Sequence, residues 1–410
     1  MSCFSKATTL LVIRVAPPPP PHFPNVSETR NYKTKYTICS RSVIYLNIPE
    51  RVRRCNEKSP PTKPFGKHVS LGCKKRREKE GLLHAFEIDE STKGARRPKA
   101  DPRKTIKSFS RSAAGVIMTE PNQLRPASVL LSTTKYLLEK IATRTDVDWI
   151  VVYDFVFDRL RSVRQDIAIQ RINVPMSIQI FEPIVRFLVY SAQRLCDRSV
   201  SEFNAKINNQ HISECISHLL VLYDKSDKTE SSDLDEIMEK LALSNNREEM
   251  EAIHILLNMG NEVALRRALG LAPDLKRSVD IQLSTKISLA WYLKNYARVC
   301  SLIRQLPPIL VCAAMINIQN IRRAALRIMS SGYNSKVLTF PGLALQDLLL
   351  YKDIDKVRAD CELFGLAYTD QNVLFQKASF KDEAQSANTE AYYTPRSLHG
   401  FLPCILLGPT

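Results

Sequence analysis

The stretch DWIVVYDFVFDRLRSVRQDIAIQRI, residues 148–172, decides the fold class. Its apolar residues recur every three or four positions, which predicts a long helix with one buried face. The opposite face is polar and carries Asp154 and Asp158. The predicted buried stripe consists of Trp149, Val152, Tyr153, Val156, Leu160, Val163 and Ile167.

Helical spacing continues on both sides of this stretch. Between residues 127 and 340 there are only five prolines and three glycines, and patterns typical of strands are almost absent. Further helices are predicted near 128–142, 176–196, 204–223, 247–259, 280–304 and 310–330. The connections are short, which favours antiparallel helices around one continuous core. Since no exact repeat period is visible, a regular solenoid is not expected.

The end of this helical region has a different pattern. FPGLALQDLLLY (340–351) and DIDKVRADCELFGL (353–366) predict two short helices. AYTDQNVLFQKASF (367–380) alternates like two strands joined by a turn at Asp370-Gln371-Asn372. A long helix followed by two helices and a hairpin is typical of a winged helix. The predicted fold is therefore all-α: an antiparallel helical stack ending in a winged-helix module with a small β-hairpin.

Charge and proline content divide the chain. Residues 1–110 hold 24 lysines and arginines against 9 acidic residues, whereas the remaining 300 hold 35 against 33. Twelve of the 23 prolines precede residue 103. We therefore predict a disordered, basic, proline-rich region over 1–72 and a basic arm with a short helix over 73–125. The helical stack follows over 126–304, the winged-helix end over 305–383 and a disordered tail over 384–410.

Composition and motifs exclude several classes of protein. The ten cysteines form no CxxC pair and indicate reduced thiols in an intracellular protein. No apolar run approaches the ~18–20 residues of a membrane span, so membrane insertion is not expected. Phosphate-binding loops, dinucleotide fingerprints and the common protease and hydrolase motifs are missing. We predict no enzyme activity, no cofactor and no small-molecule substrate.

One arrangement of side chains deserves a metal-site test. His211, Cys215 and His218 share one face of a predicted helix. Zinc would need a fourth ligand, and the sequence offers none. Packing of these side chains on a helix is the preferred interpretation, so no metal site is predicted.

A second set of polar residues, on the long helix and the helix after it, predicts a structural network. The acids nearly balance the bases locally, which favours buried pairs that fix the register of neighbouring helices. A face that binds a partner or phosphate is the alternative. The members are Asp158, Arg161, Arg164, Gln165, Asp166, Glu182 and Arg186.

Candidate nucleic-acid contacts are predicted in two places. Lysine and arginine neutralise phosphates without reading sequence, so binding there would be salt-sensitive and unspecific. A solvated basic segment without a partner is the alternative for the arm. The arm supplies Lys74, Lys75, Arg76 and Arg77, then Arg96, Arg97, Lys99, Arg103, Lys104 and Lys107; the winged-helix end supplies Arg322, Arg323, Arg327 and Lys377.

Several blocks together resemble a known family. RPASVLLSTTKYLLEKI (125–141), the stretch 148–172, IFEPIVRFLVYSAQRLC (180–196) and EFNAKINNQHISECISHLLVLYD (202–224) resemble, in order, the core of the SAC-three/GANP domain family. RREKEGLLHAFE (76–87) and TIKSFSRSAAG (105–115) are similar to its leading blocks. FGLAYTDQNVLFQKASF (364–380) is similar to its closing block.

The resemblance implies a TPR-like stack merging into a PCI-type winged helix, and a scaffold without catalytic residues. The chain resembles the short members, which implies an adaptor in centrosome duplication and mitotic spindle assembly, found in nucleus and cytoplasm and at the centrosome or spindle. The alternative, implied by the large members, is a subunit of a nuclear-pore-associated mRNA export complex. By the charge argument above, such a subunit would bind RNA through the winged helix and basic arm. The implied protein partners are a second PCI-domain protein and a small acidic subunit.

Overall fold

The computed structural model describes residues 77–111, 124–228, 246–384, 390–393 and 398–408. All of these residues belong to one compact unit. The predicted region 1–72 lies outside them, as do the candidate contacts Lys74, Lys75 and Arg76.

Helices make up most of this part of the chain. The first, α1 (Ala127–Tyr136), continues into a single π turn at Leu137–Ile141. The stack consists of α1 (Ala127–Tyr136), α2 (Trp149–Gln170), α3 (Val174–Arg194), α4 (Ala205–Lys228), α5 (Arg247–Leu257), α6 (Glu262–Gly270), α7 (Pro273–Arg277), α8 (Val279–Tyr292), α9 (Tyr296–Ile303), α10 (Pro308–Met315) and α11 (Ile318–Gly332).

Helix α2 follows the predicted pattern. The Asp148 side chain caps its start by accepting a hydrogen bond from the Ile150 amide. The helix ends where Arg171 adopts a left-handed conformation with φ 51°. All seven residues of the predicted stripe are buried. The apolar spacing alone therefore identified the buried face.

Helix α3 lies at the centre of the stack and packs against α1, α4 and α10. It is buried on nearly all sides, including Ile178, Val185 and Val189, which have no exposed surface. One continuous apolar core extends from Phe86 in the arm to Phe375 in the winged helix. The predicted all-α stack is confirmed.

Two of the predicted helices are each divided in the structure. The stretch 280–304 forms α8 and α9, because Lys294 turns left-handed (φ 60°) and the Asn295 side chain caps α9 by accepting from the Arg298 amide. The stretch 310–330 forms α10 and α11, which meet at a 60° bend. At that bend Asn317 donates to the Leu256 carbonyl oxygen over 3.0 Å. The helices α6 and α7 were not predicted.

The winged-helix module follows α11. It comprises β1 (Thr339–Pro341), α12 (Gly342–Leu348), α13 (Ile354–Leu363), β2 (Ala367–Thr369) and β3 (Asn372–Leu374). The antiparallel sheet has the order β1-β3-β2, with Val373 opposite both Phe340 and Tyr368.

The predicted hairpin is confirmed and the sheet gains a third strand. Asp370 and Gln371 are both left-handed, as a two-residue hairpin turn requires. Gly365 ends the helix segment with φ 78°, and a Cβ there would lie 2.3 Å from the Ser379 carbonyl oxygen. Strand β1 was missed because its three residues end in a proline, which is tolerated only at an edge.

The tail prediction is wrong for residues 398–408. Helix α14 (Leu402–Leu407) packs on α3 and the π turn, and Leu402 and Leu406 are fully buried. Two leucines four positions apart share one helix face, which is enough apolar surface to dock a short helix. His399 bonds Arg194 and the Thr143 carbonyl oxygen, which fixes the start of this segment.

The arm is packed on the body over residues 77–111. It contains a short helical turn at 77–80 and 3₁₀ turns at Ala85–Glu87 and Glu90–Thr92. Phe86 and Ile106 belong to the main core. This part of the arm is therefore a folded element, not a solvated segment.

No single helix within the described ranges is both long and apolar enough to cross a bilayer; the bent pair α10–α11 reaches that limit only when its two helices are counted together.

Candidate functional site

A buried carboxylate joins the arm to α2. Glu87 has no exposed surface and pairs with Arg77 and with Arg159, whose Nη2 lies 3.2 Å from Glu87 Oε2. The Ile106 amide donates to Glu87 Oε1 over 3.0 Å and the His84 amide to Oε2 over 3.3 Å. Two guanidinium groups and two amides thus neutralise and saturate a carboxylate that would otherwise be costly to bury.

A second buried carboxylate, Asp166, lies on α2 about two turns beyond Arg159 and is neutralised in the same way. Asp166 is fully buried and lies 2.7 Å from both Lys107 Nζ and Arg125 Nε. Asp158 accepts from the Phe109 amide over 3.1 Å, and Gln165 donates to the Ser110 carbonyl oxygen over 2.9 Å. These three predicted network residues therefore contact the arm and the segment before α1 rather than a neighbouring helix of the stack.

The predicted network residues Arg161 and Arg164 lie on the adjoining side of α2. The Arg161 guanidinium stacks over the Phe109 ring at 3.9 Å. Arg164 bonds His211 over 2.9 Å and Glu214 over 3.1 Å. They tie α2 to the arm and to α4.

Glu182 and Arg186 lie one turn apart on α3 but contact different helices. Glu182 accepts from the Tyr223 hydroxyl over 2.6 Å and from Asn246 over 2.9 Å. Burial raises the pKa of the Glu182 carboxyl above its usual range. Arg186 holds Glu249 with two parallel bonds of 2.9 and 3.1 Å. These contacts join α3 to α4 and α5.

Sequence reasoning placed Asp166 in the predicted network but missed other buried members of the two carboxylate clusters. Glu87, Arg125 and Arg159 were not included in that network, although each is buried. Glu87 follows the apolar cluster GLLHAF, and an acid placed directly after such a cluster is the signal that could have found it.

The histidine–cysteine group does not form a metal site. The structure, over the ranges it describes, contains no group of three or more His, Cys, Asp or Glu side chains that could hold a metal. His211 packs edge-on against Phe157 and His218 lies over Phe181. Burial raises the pKa of the Cys215 thiol to about 11, so it is protonated at neutral pH.

A surface groove of about 440 Å³ lies between α4, α5 and α6. Four of the five charged residues that line it are paired within the fold: Arg267 bonds Asp224 and Glu251, and Arg247 bonds Asp227. The charges of these pairs neutralise one another within the fold, so the pairs leave no free charge that could bind a cofactor in the groove.

Two candidate nucleic-acid contacts are wrong, because they are buried. Arg322 has no exposed surface; it donates to the Leu349 carbonyl oxygen over 3.1 Å, pairs with Glu390 over 2.8 Å and stacks on the Tyr351 ring at 3.7 Å. Arg77 is held by Glu87, as described above. A guanidinium enclosed in this way cannot reach a phosphate.

The other candidates of the winged-helix end are exposed. Arg323 and Arg327 share Asp382 as ion-pair partner at 3.3 and 3.5 Å. Lys377 is exposed at the end of the hairpin. Helix α13, which a DNA-reading winged helix would present to a groove, carries Asp355 and Glu362 against Lys356 and Arg358, while Asp360 is buried and accepts from the Tyr351 hydroxyl. These accessible charges balance, so the helix has no net positive charge to attract a polyanion.

The winged-helix module also carries an apolar patch: Tyr333, Val337, Leu338 and Leu343. Val337 and Leu338 are 82% and 76% exposed. The patch flanks β1, which is an edge strand of the sheet. Exposed apolar side chains beside an open strand edge are features of protein-binding surfaces.

We expect His84 to make the docking of the arm sensitive to pH. Its ring packs between Phe86 and Phe155 at 4.6 Å from each, and its Nδ1 accepts from the Phe86 amide. Burial, and then the nearby Arg159, lower the pKa of His84. The neutral ring therefore stabilises the fold above the unfolded pKa of about 6.5, and this contribution is lost as the pH falls below it.

We expect His84→Asn, which keeps a capping oxygen but does not titrate, to lose less stability than the wild type between pH 7 and pH 5. The slopes of the free energy of unfolding against pH should differ between the two proteins by at most about 1.4 kcal/mol per pH unit. Urea unfolding at both pH values measures it. Equal losses in the two proteins would show that His84 does not titrate on unfolding.

Comparisons with known proteins agree on one family. The SAC3/GANP family model matches residues 73–370. The chain is 22% identical to SAC3 family protein 1 of Schizosaccharomyces pombe over 318 residues, 73% of this chain and 29% of that protein. It is 21% identical to SAC3 family protein B of Arabidopsis thaliana over 270 residues, 62% and 15% of the two chains. It is 32% identical to Protein xmas of Drosophila melanogaster over 128 residues, 29% and 6% of the two chains.

The matched region thus spans less than a third of each of these relatives. The family model covers residues 73–370 of this chain, which include the arm, all of the helical stack and most of the winged-helix module. The resemblance seen in the sequence blocks is therefore confirmed, and the chain belongs to the SAC3/GANP family.

Proposed function

We propose that this chain is a non-enzymatic scaffold subunit of a nuclear mRNA-export assembly. Membership of the SAC3/GANP family supports the scaffold role. The similarity to SAC3 family proteins of a yeast and a plant supports the export role over the centrosomal one. The predicted network residues of α2 and α3 are engaged in contacts within the stack and with the arm, so we expect partners to bind the exterior of the protein.

The apolar patch is the observation that carries this proposal. Four large apolar side chains are exposed beside the open edge of β1, where an incoming strand can add to the sheet. The occupant we propose is a second PCI-type protein whose own winged module docks there. A small acidic subunit completes the proposed assembly.

Depletion combined with imaging tests the export role. We expect the tagged chain at the nuclear rim throughout interphase, and polyadenylated RNA retained in the nucleus after depletion. In situ hybridisation measures the RNA. Signal at spindle poles with normal RNA distribution would contradict the proposal and favour the centrosomal role.

A further inference from the structure

A loop of the arm carries more exposed cations than acids. The basic loop, residues 89–104, holds six lysines and arginines against three acids. One of these acids, Glu90, pairs with Lys93 at 3.5 Å and with Lys104 at 3.7 Å. The remaining four cations are exposed and make no ion pair within the part of the chain that the structure describes; they are Arg96, Arg97, Lys99 and Arg103.

The basic loop is held in a defined shape. An antiparallel bridge joins Ile88 and Ala100, and the Asp101 amide donates to the Glu87 carbonyl oxygen over 2.8 Å. Gly94 makes the turn at the tip with φ 93°, a conformation that other residues rarely adopt. Because the buried Glu87 anchors one end, binding needs little further ordering of the loop.

We propose that the basic loop binds the phosphate backbone of a nucleic acid. Arginine presents a planar fork that matches phosphate oxygens. The loop has no large apolar side chain; alanines and prolines are its only apolar residues. Protein interfaces depend on large buried anchors, and membrane surfaces on inserted apolar residues. Exposed positive charge without such anchors is typical of a site that binds a phosphate backbone through electrostatics alone.

This site differs from the one expected at the winged helix. There Arg322 is buried, and Arg323 and Arg327 share Asp382. The basic loop therefore adds a ligand to the proposed scaffold at the opposite end of the sequence. Its test in vitro is separate from the imaging test above, so either can fail alone.

A salt-titrated binding assay tests the proposal. The full chain is titrated against a fluorescent 20-nucleotide single-stranded RNA between 50 and 200 mM salt. Losing two phosphate contacts lowers the slope of log affinity against log salt by about 1.4 on the single-strand scale. We therefore expect Arg96→Ala with Arg97→Ala to bind more weakly at 50 mM salt. Its affinity should fall roughly sevenfold less over that salt range than the wild-type affinity does.

The matched control is Arg323→Ala with Arg327→Ala, which removes two exposed arginines elsewhere and should keep the wild-type slope. Thermal melts establish that each variant is folded. If the loop variant melts early, Lys99→Ala with Arg103→Ala replaces it. An unchanged slope in the folded loop variant would overturn the proposal. So would loop-dependent binding to polyglutamate or to vesicles with 30% anionic lipid in the absence of loop-dependent RNA binding.

Discussion

Glu87→Gln is expected to destabilise the protein by about 3–5 kcal/mol, the range for breaking a buried ion pair from one side. The substitution keeps the shape of the side chain and removes its charge. Arg77 and Arg159 then lie buried beside a neutral amide that can accept fewer bonds. Differential scanning calorimetry should show a melting temperature lower by roughly 6–10 °C, at about 2 °C per kcal/mol for a domain of this size.

Glu90→Gln is the matched control. Glu90 belongs to the same segment, but its side chain is 68% exposed in its pairs with Lys93 and Lys104. Exposed pairs contribute about 0–1 kcal/mol, so this variant should melt close to the wild type. If Glu87→Gln melted no earlier than Glu90→Gln, the arm would not be an integral part of the fold.

The second large effect is expected at Arg322→Glu. The new carboxylate would face the carbonyl oxygens of Leu349 and Leu350 and would also lie next to Glu390. Like charges and unpaired acceptors in a buried site should reduce stability by about 4 kcal/mol or more. Urea unfolding monitored by far-UV circular dichroism measures the loss.

The neighbouring Arg323→Glu is the control for this prediction. Arg323 is 42% exposed and its pair with Asp382 is at the surface, so we expect a change within about 1 kcal/mol. If the two variants had equal stability, Arg322 would not occupy the buried position that excludes it from a nucleic-acid site.

The sequence predicted the fold well because the stack is built on helical periodicity. The stripe on α2 and the turn at Asp370-Gln371 are local signals, and the structure confirms both predictions. The misses have local causes as well. Asn295 and Asn317 lie where predicted helices are interrupted, and periodicity does not register their contacts. The Asn295 side chain caps α9, and the Asn317 amide donates to the Leu256 carbonyl oxygen near the end of α5. Helix α14 depends on a long-range apolar contact with α3, which no local pattern reveals.

The candidate site was harder to predict, because a basic residue looks the same in sequence whether it is buried or exposed. Arg322 and Arg323 are adjacent, yet one lies in the core and the other at the surface. The two side chains lie on different sides of α11, and the side that carries Arg322 packs against the winged-helix module. In the same way, Asp166 was chosen as a helix-register residue, but its partners Lys107 and Arg125 lie 59 and 41 positions away in sequence.

The central claim is that the protein acts through the exterior of its winged-helix module, where partners bind. Native mass spectrometry of the full chain purified with its partners tests this claim most directly. We predict a complex with a second PCI-type protein that is lost in Val337→Asp with Leu338→Asp. The matched control, Val263→Asp with Leu269→Asp, changes two exposed apolar residues on α6 and should retain the complex. Recovery of the same complex in the same amount from the patch variant would contradict the claim.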